Sequence, residues 1–269
     1  MDYGLIGPPA QQQWGTSFPA ATAQLCEGAD GIVFGAVSQG GLLELRKHFD
    51  LFANLRPVKP LPTLFDKSSL KPEKLEGVDI LFVRELAGGI YFGEAGCVTN
   101  ETGNYGYHTM SYADWEIQRI AQVALKQAQQ RRGLVTLAHK ENALPYLPWR
   151  SITEAEAIQY PGVKVEAMLV DNLAFQLVSY PQQFDVILAS HLLGDILSEI
   201  AAVFVGSLGL LGSASLNAKG LGLYEPCHGT APDIAGRRIA NPLGIINSII
   251  LIILNPMIFA CYRIIYDKK

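Results

Sequence analysis

Apolar residues follow two rhythms along this chain. Three short runs have the length and content of strands covered on both faces: Gly31-Ile32-Val33-Phe34-Gly35-Ala36-Val37, Val78-Asp79-Ile80-Leu81-Phe82-Val83 and Phe184-Asp185-Val186-Ile187-Leu188-Ala189. Between them lies a longer run with helical spacing. From Ser111 to Arg132 the apolar positions are Trp115, Ile117, Ile120, Ala121, Val123 and Ala124, with polar and charged residues between them. Arg131-Arg132-Gly133 closes this run: basic side chains suit a helix C-terminus, and glycine supplies the left-handed residue that stops one. Strands alternating with helices predict an α/β architecture. There is no internal repeat and no low-complexity tract.

One further apolar run, Ile245 to Ala260, reads IINSIILIILNPMIFA and is followed by Lys268-Lys269. Asn247, Asn255 and Pro256 interrupt it, and it is short for a membrane span. The expectation is a buried core helix, with a membrane anchor as the competing reading.

Composition narrows the function. The chain has 269 residues, 49% hydrophobic and 17% charged, enough apolar material for a large core in one or two domains. A net charge of −4 argues against a nucleic-acid partner, so any anionic ligand must be gripped by a local arginine cluster. Cys26, Cys97, Cys227 and Cys261 lie far apart without a CxxC pair, which predicts neither a disulfide framework nor a zinc site and points to a reduced, cytoplasmic setting. Met1 to Gln13 has no basic segment and apolar run of the secretory kind. Neither GxGxxG nor GxxxxGK[ST] occurs, so a nucleotide must be held by other means.

Four constellations could carry chemistry. Arg46, Arg56 and Arg84 are candidates for fixing carboxylates with their forked guanidinium groups; Arg84 ends an apolar strand, where α/β proteins place ligands. Asp195 and Glu199 in HLLGDILSE share a helix face at i, i+4; they are either a solvated acidic face or, with Asp171, oxygen ligands for a divalent cation. Tyr91 and Lys140 are potential acid/base partners whose meeting spacing cannot decide. Glu225 to Pro242, EPCHGTAPDIAGRRIANP, reads as a long ordered loop in which Asp233 either caps a turn or accepts hydrogen bonds from a ribose diol.

These segments together, GLLELRKHFDLFANLRP, VRELAGGIYFG, GDILSE, GSLGLLGSASL and EPCHGTAPDIAGRRIANP, resemble the 3-isopropylmalate dehydrogenase family within the isocitrate and isopropylmalate dehydrogenase group. They run in the family's order through residues 41–242. The resemblance implies a two-domain α/β fold with a mixed sheet and flanking helices. Residues 1–51 and 206–269 would form a cofactor-binding domain, incomplete and discontinuous, and 52–205 a substrate, metal and dimerisation domain. It implies NAD-dependent oxidative decarboxylation of 3-isopropylmalate or a related 3-substituted malate, of the leucine-biosynthesis type. Arg46, Arg56 and Arg84 would hold the malate, and Leu42 and Leu43 its apolar group. Asp171, Asp195 and Glu199 would bind Mg²⁺ or Mn²⁺. Tyr91 would protonate the enolate, and Lys140 would assist proton removal from the hydroxyl. His228, Gly229, Ala231, Asp233 and Asn241 would contact NAD, the aspartate disfavouring NADP. Lys140 and Asp171 would reach into the neighbouring subunit's site, which implies a homodimer.

The chain also departs from the family. The family's opening strand and GDGIGPE loop do not precede Trp14, the stretch from Val37 to Gly41 is shortened, and the pattern fades after Pro242. The expectation is therefore a chain shortened at both ends. Gln39 stands where a glutamate is usual, and His191 replaces the asparagine of an N-x-F-G-D run. Glu141 and Ala143 alter KANVL, Ala143 enlarging the side-chain pocket, and Glu199 replaces an aspartate. Pro145 and Pro148 fall where the family begins a helix. These changes leave a competing expectation of a catalytically impaired paralogue that keeps ligand binding and dimerisation.

Overall fold

An eight-stranded mixed sheet organises residues 2–254, the portion described by the computed structural model. In chain order the strands are β1 (Ile32–Val33), β2 (Ala53–Val58), β3 (Ile80–Glu85), β4 (Ala95–Asn100), β5 (Gly103–His108), β6 (Leu134–His139), β7 (Lys164–Leu169), β8 (Val186–Ala189), β9 (Gly212–Leu216) and β10 (Gly222–Pro226). The helices are α1 (Pro8–Trp14), α2 (Ala20–Glu27), α3 (Leu42–His48), α4 (Pro72–Leu75), α5 (Asp114–Gln129), α6 (Trp149–Ala157), α7 (Val170–Ser179), α8 (His191–Val205) and α9 (Leu243–Leu254). The main sheet runs β1-β10-β9-β2-β3-β8-β6-β7, while β4 and β5 form a separate hairpin. The pairs β3–β8, β8–β6 and β6–β7 are parallel; β10–β9, β9–β2 and β2–β3 are antiparallel.

Strand β3 shows why the apolar runs are continuous. Ile80 and Phe82 pack with Leu173, Leu177, Leu197 and Phe204 on the side of α7 and α8. Leu81 and Val83 pack with Ile117, Ile120 and Leu125 on the side of α5. Both faces are covered, so no polar alternation is tolerated, and each fully buried aliphatic side chain contributes roughly 1.5–3 kcal/mol.

The predicted central helix is α5. It starts with the Glu116 carboxylate accepting from Ala113 N (2.7 Å) and stops where Gly133 takes φ 78° and donates its N–H to Ala128 O. The basic end does more than match the dipole. Arg131 Nε donates to fully buried Asp185 (2.8 Å), and its Nη2 donates to Asp79 Oδ1 (2.6 Å), pinning α5 to the starts of β3 and β8.

Two predicted elements differ from expectation. The Gly31–Val37 run yields only β1, an edge strand paired with β10 alone, and Val33 is 46% exposed. Gly31 before the strand and Gly35 within the run shorten the pairing, and an edge strand has one open side. The apolar run after Ile245 begins inside α9, which lies on β9 and β10 with Leu251 and Ile252 against Ala214 and Tyr224. Its other face exposes Ile246, Ile249, Ile250 and Ile253, so it is a surface helix rather than a buried one. Among the described residues no helix is long and apolar enough to cross a membrane; Asn255 to Ala260 lie outside them. Cys26, Cys97 and Cys227 are free thiols.

Candidate active site

Two neighbouring strands and one helix face build the site. The antiparallel register sets Asn54 of β2 opposite Arg84 of β3, and Arg56 follows two residues later on the same face. Helix α8 lies over this face, presenting His191, Gly194, Asp195, Ser198 and Glu199 at i, i+3, i+4, i+7 and i+8. Gly194 allows the approach: a Cβ there would stand 2.7 Å from Arg84 Cγ.

The three arginines are buried and each is paired with a carboxylate. Arg84 Nη1 lies 2.6 Å from Asp195 Oδ1, and its Nε donates to the carbonyl of His191 (2.8 Å). Arg56 donates to Asn54 Oδ1 (3.0 Å), Ser198 Oγ (2.9 Å) and Glu199 Oε1 (3.4 Å), and lies 3.7 Å from Asp195. Asn54 is fixed in turn by Ser215 Oγ of β9 (3.1 Å). Arg46, from α3, pairs with Glu225 of β10 at 2.7 Å. Burial, with Arg56 close by, lowers the Arg84 guanidinium to about 10, so it stays cationic at neutral pH. Burial raises Glu199.

Tyr91 ends a short 3₁₀ turn, Gly89–Tyr91, after β3. Its hydroxyl donates to Asp195 Oδ2 at 3.4 Å, and its ring packs on that of His191 with centroids 4.4 Å apart. Partial burial and the Asp195 carboxylate raise the phenol, which therefore holds its proton near neutrality. Arg46, Arg56, Arg84, Asp195, Glu225 and Leu42 line one open cleft of about 230 Å³, with His228 and Gly229 at its rim.

The remaining sequence candidates lie elsewhere. Leu43 is 40% exposed and outside the cleft lining, because one helical step of 100° turns it away from the face shared by Leu42 and Arg46. Ala231 (φ 42°) and Asp233 sit on the exposed loop after Gly229, and Asn241 uses its side-chain oxygen to accept from Leu243 N (3.0 Å) at the start of α9. Lys140 follows β6 and pairs with Asp171, at the start of α7, at 2.8 Å. Neither reaches Tyr91, Asp195 or Glu199 by a hydrogen bond or ion pair among the described residues. Lys140 instead faces a recess of about 20 Å³ with Ser190 and Leu193. Ala143 and Leu144 form a turn on the Lys140 carbonyl, and Pro148 precedes the first residue of α6, where proline is harmless.

The donor set bears on a metal. Asp195 and Glu199 are hard oxygen ligands one helical turn apart, a chemistry suited to Mg²⁺ or Mn²⁺. Among the described residues, however, no three His, Cys, Asp or Glu side chains converge as a metal site.

A family model described as isocitrate/isopropylmalate dehydrogenase matches residues 1–257. The chain belongs to the isocitrate/isopropylmalate dehydrogenase family of decarboxylating dehydrogenases. It is 45% identical over 262 residues to 3-isopropylmalate dehydrogenase 2 of Dechloromonas aromatica (strain RCB), covering 92% of this chain and 73% of that one. Its fold is similar to the crystal structure of isocitrate dehydrogenase from Methylococcus capsulatus, with TM-score 0.84 and 30% identity over 96% of this chain and 78% of the other. It is also similar to an apo beta-decarboxylating dehydrogenase of Thermococcus kodakarensis, with TM-score 0.74 and 33% identity over 92% and 72% of the two chains. The match extends beyond residues 41–242, which carry the family's motifs.

Sequence reasoning missed Asn54, Gly194, Ser198 and Glu225. Gly194 alone left a signal, as a glycine inside an otherwise helical apolar run.

Proposed function

We propose that this protein catalyses the NAD-dependent oxidative decarboxylation of 3-isopropylmalate, or of a closely related 3-alkylmalate, as in leucine biosynthesis. The observation that carries the reading is the cluster in which Arg56, Arg84 and Asp195 line one cleft, with Glu199 held on Arg56 and the Tyr91 hydroxyl on Asp195. Guanidinium forks suit a malate's two carboxylates, with Arg46 as a third. A divalent cation would, when bound, polarise the substrate's hydroxyl oxygen, and NAD would accept hydride from the carbon that bears this hydroxyl.

The chain's own residues do the rest. Binding would exchange partners: arginines now held by Asp195, Glu199 and Glu225 would turn to the substrate's carboxylates, leaving Asp195 and Glu199 as the residues that would hold the cation. Neutral Tyr91 keeps a proton at its hydroxyl, ready for the carbon left after CO₂ departs. Leu42 offers an apolar wall for the alkyl group. His228 and Gly229 at the rim, with Ala231, Asp233 and Asn241 along the following loop, form the adenosine side, where the Asp233 carboxylate accepts from a ribose diol and repels a 2′-phosphate. Residues 1–51 and 206–269 serve the cofactor, and 52–205 the substrate and metal.

The reading includes a homodimer with shared sites. Lys140 and Asp171 have no role in the cleft of their own chain, and a second copy would bring them to it, completing the acid set with a third carboxylate. Two surfaces support this: the β4–β5 hairpin exposes Val98 and Tyr105, and α7 and α8 expose Phe175, Val178, Ile196 and Val203.

The test is direct. Purified protein with Mn²⁺, NAD and a panel of 3-substituted malates should release NADH and CO₂, fastest with the isopropyl compound. Absence of turnover with every member sinks the reading in favour of a binding paralogue, and a preference for NADP would remove Asp233 from its role.

A further inference from the structure

His191 is a departure the reaction does not require, yet it occupies the most connected point of the site. It is 1% exposed and begins α8. Its N–H donates to the Tyr112 hydroxyl (3.0 Å), and its carbonyl accepts from Arg84 Nε (2.8 Å). Its Nδ1 lies 3.2 Å from the Gly88 carbonyl, which can only accept, so Nδ1 carries the proton. Its ring packs against Tyr91 at 4.4 Å and Phe92 at 5.8 Å between centroids.

Gly88 is itself held. The Glu85 carboxylate accepts from Ala87 N (2.7 Å) and Gly88 N (3.0 Å), fixing the turn that leads to Tyr91. The Tyr91 side chain, by contrast, is 42% exposed, and its hydrogen bond to Asp195 is long at 3.4 Å. Lateral support for the phenol comes from the imidazole face. An asparagine at this position could still donate to Gly88 O but would offer no ring.

We infer that His191 is a positioning residue which, by packing its tilted ring against Tyr91 while tethered to the Gly88 carbonyl, holds the Tyr91 hydroxyl at Asp195 for proton delivery. This rests on the proposed function in that Tyr91 is taken as the proton donor. Burial and the neighbouring Arg84 push the imidazole down to about 3, so the ring stays neutral and its packing does not vary over the working pH range.

Two substitutions separate the ring from the tether: H191N keeps a donor for Gly88 O, and H191F keeps a face for Tyr91. H191N should lower kcat about tenfold with KM for malate and NAD little changed, while H191F retains the larger share of kcat. In a Y91F background H191N should cost nothing further, because both changes act through one hydroxyl. Losses that multiply in the double variant, or a raised KM at unchanged kcat, overturn the inference. A second readout does not depend on turnover. With ¹³C-labelled tyrosine, the Tyr91 ring signals, assigned by their loss in Y91F, should shift in H191N and much less in H191F. Unmoved Tyr91 signals in H191N refute the ring contact. If the wild-type protein oxidises no malate, the proposed function fails, and these signals still decide the role of His191.

Discussion

Arg84 shows how much one side chain carries here. Its forked group contacts Asp195 and the first carbonyl of α8 in a nearly water-free setting, and lysine cannot make both contacts with one ammonium. R84K should lower kcat/KM for the malate by about 2 kcal/mol, roughly thirtyfold, and should also cost folding stability about 1–3 kcal/mol, because a buried contact loses its donor. Steady-state kinetics alongside thermal melting checks both halves. Glu85, the next residue, offers a pH test. Burial pushes it up to about 7 from an ordinary 4.5. Below the lower value, folded and unfolded chains both carry the proton. Between the two, only the unfolded chain ionises, so stability falls as pH rises, by roughly 3 kcal/mol once pH exceeds the folded value. E85Q lacks this penalty. Its melting temperature relative to wild type should therefore climb between pH 5 and pH 7.5, and a constant difference would refute the assignment. At this scale the sequence is legible where chemistry is carried by residue type, as for Arg56, Arg84, Asp195 and Tyr91. It is silent on Asn54, Ser198 and Glu225, whose roles exist only because β2, β9 and β10 fall into a particular register with α3 and α8.

Elements are legible when both their faces are buried. β3, β8 and α5 stand close to where the apolar pattern puts them, because a covered strand must be apolar throughout and α5 must keep one stripe toward the sheet. β1 is shorter than its run, since an edge strand pairs on one side only, and the β4–β5 hairpin leaves little trace because it buries no face. Helix α8 joins the two scales, since its glycine is where an element meets the site. G194A would ordinarily gain up to about 1 kcal/mol of helix propensity. Here the new methyl would stand 2.7 Å from Arg84 Cγ and 3.0 Å from its Cβ, so the arginine or the helix must move. The expected result is a kcat/KM loss of about tenfold or more without the gain in melting temperature that propensity alone predicts. Wild-type kinetics in G194A would mean that the site tolerates a looser α8.

For the whole molecule, the governing fact is that the candidate groups of one chain fall in two separate places. Tyr91, Asp195 and Glu199 sit with the arginines, whereas Lys140 and Asp171 neutralise each other beyond β6, the lysine holding the Asp171 carboxylate below its usual range. Residue type alone offered Lys140 as an acid/base group and Asp171 as an oxygen ligand, but the idea that they serve a neighbouring subunit came only from family resemblance, because no pattern within a chain encodes a contact with a second copy. If two copies share their sites, the defects of separate subunits must complement. K140M alone and Y91F alone should each be nearly inactive. After unfolding and refolding together in equal amounts, half the dimers pair one of each, and such a dimer has one site with both Lys140 and Tyr91 and one with neither. Roughly a quarter of wild-type activity should return. Mixing without exchange of subunits should restore nothing, which guards against contamination. If the refolded mixture also stays inactive while refolded wild type recovers, the groups of one site belong to one chain, and Lys140 must reach its own Tyr91 by a movement of the strand ends that carry them.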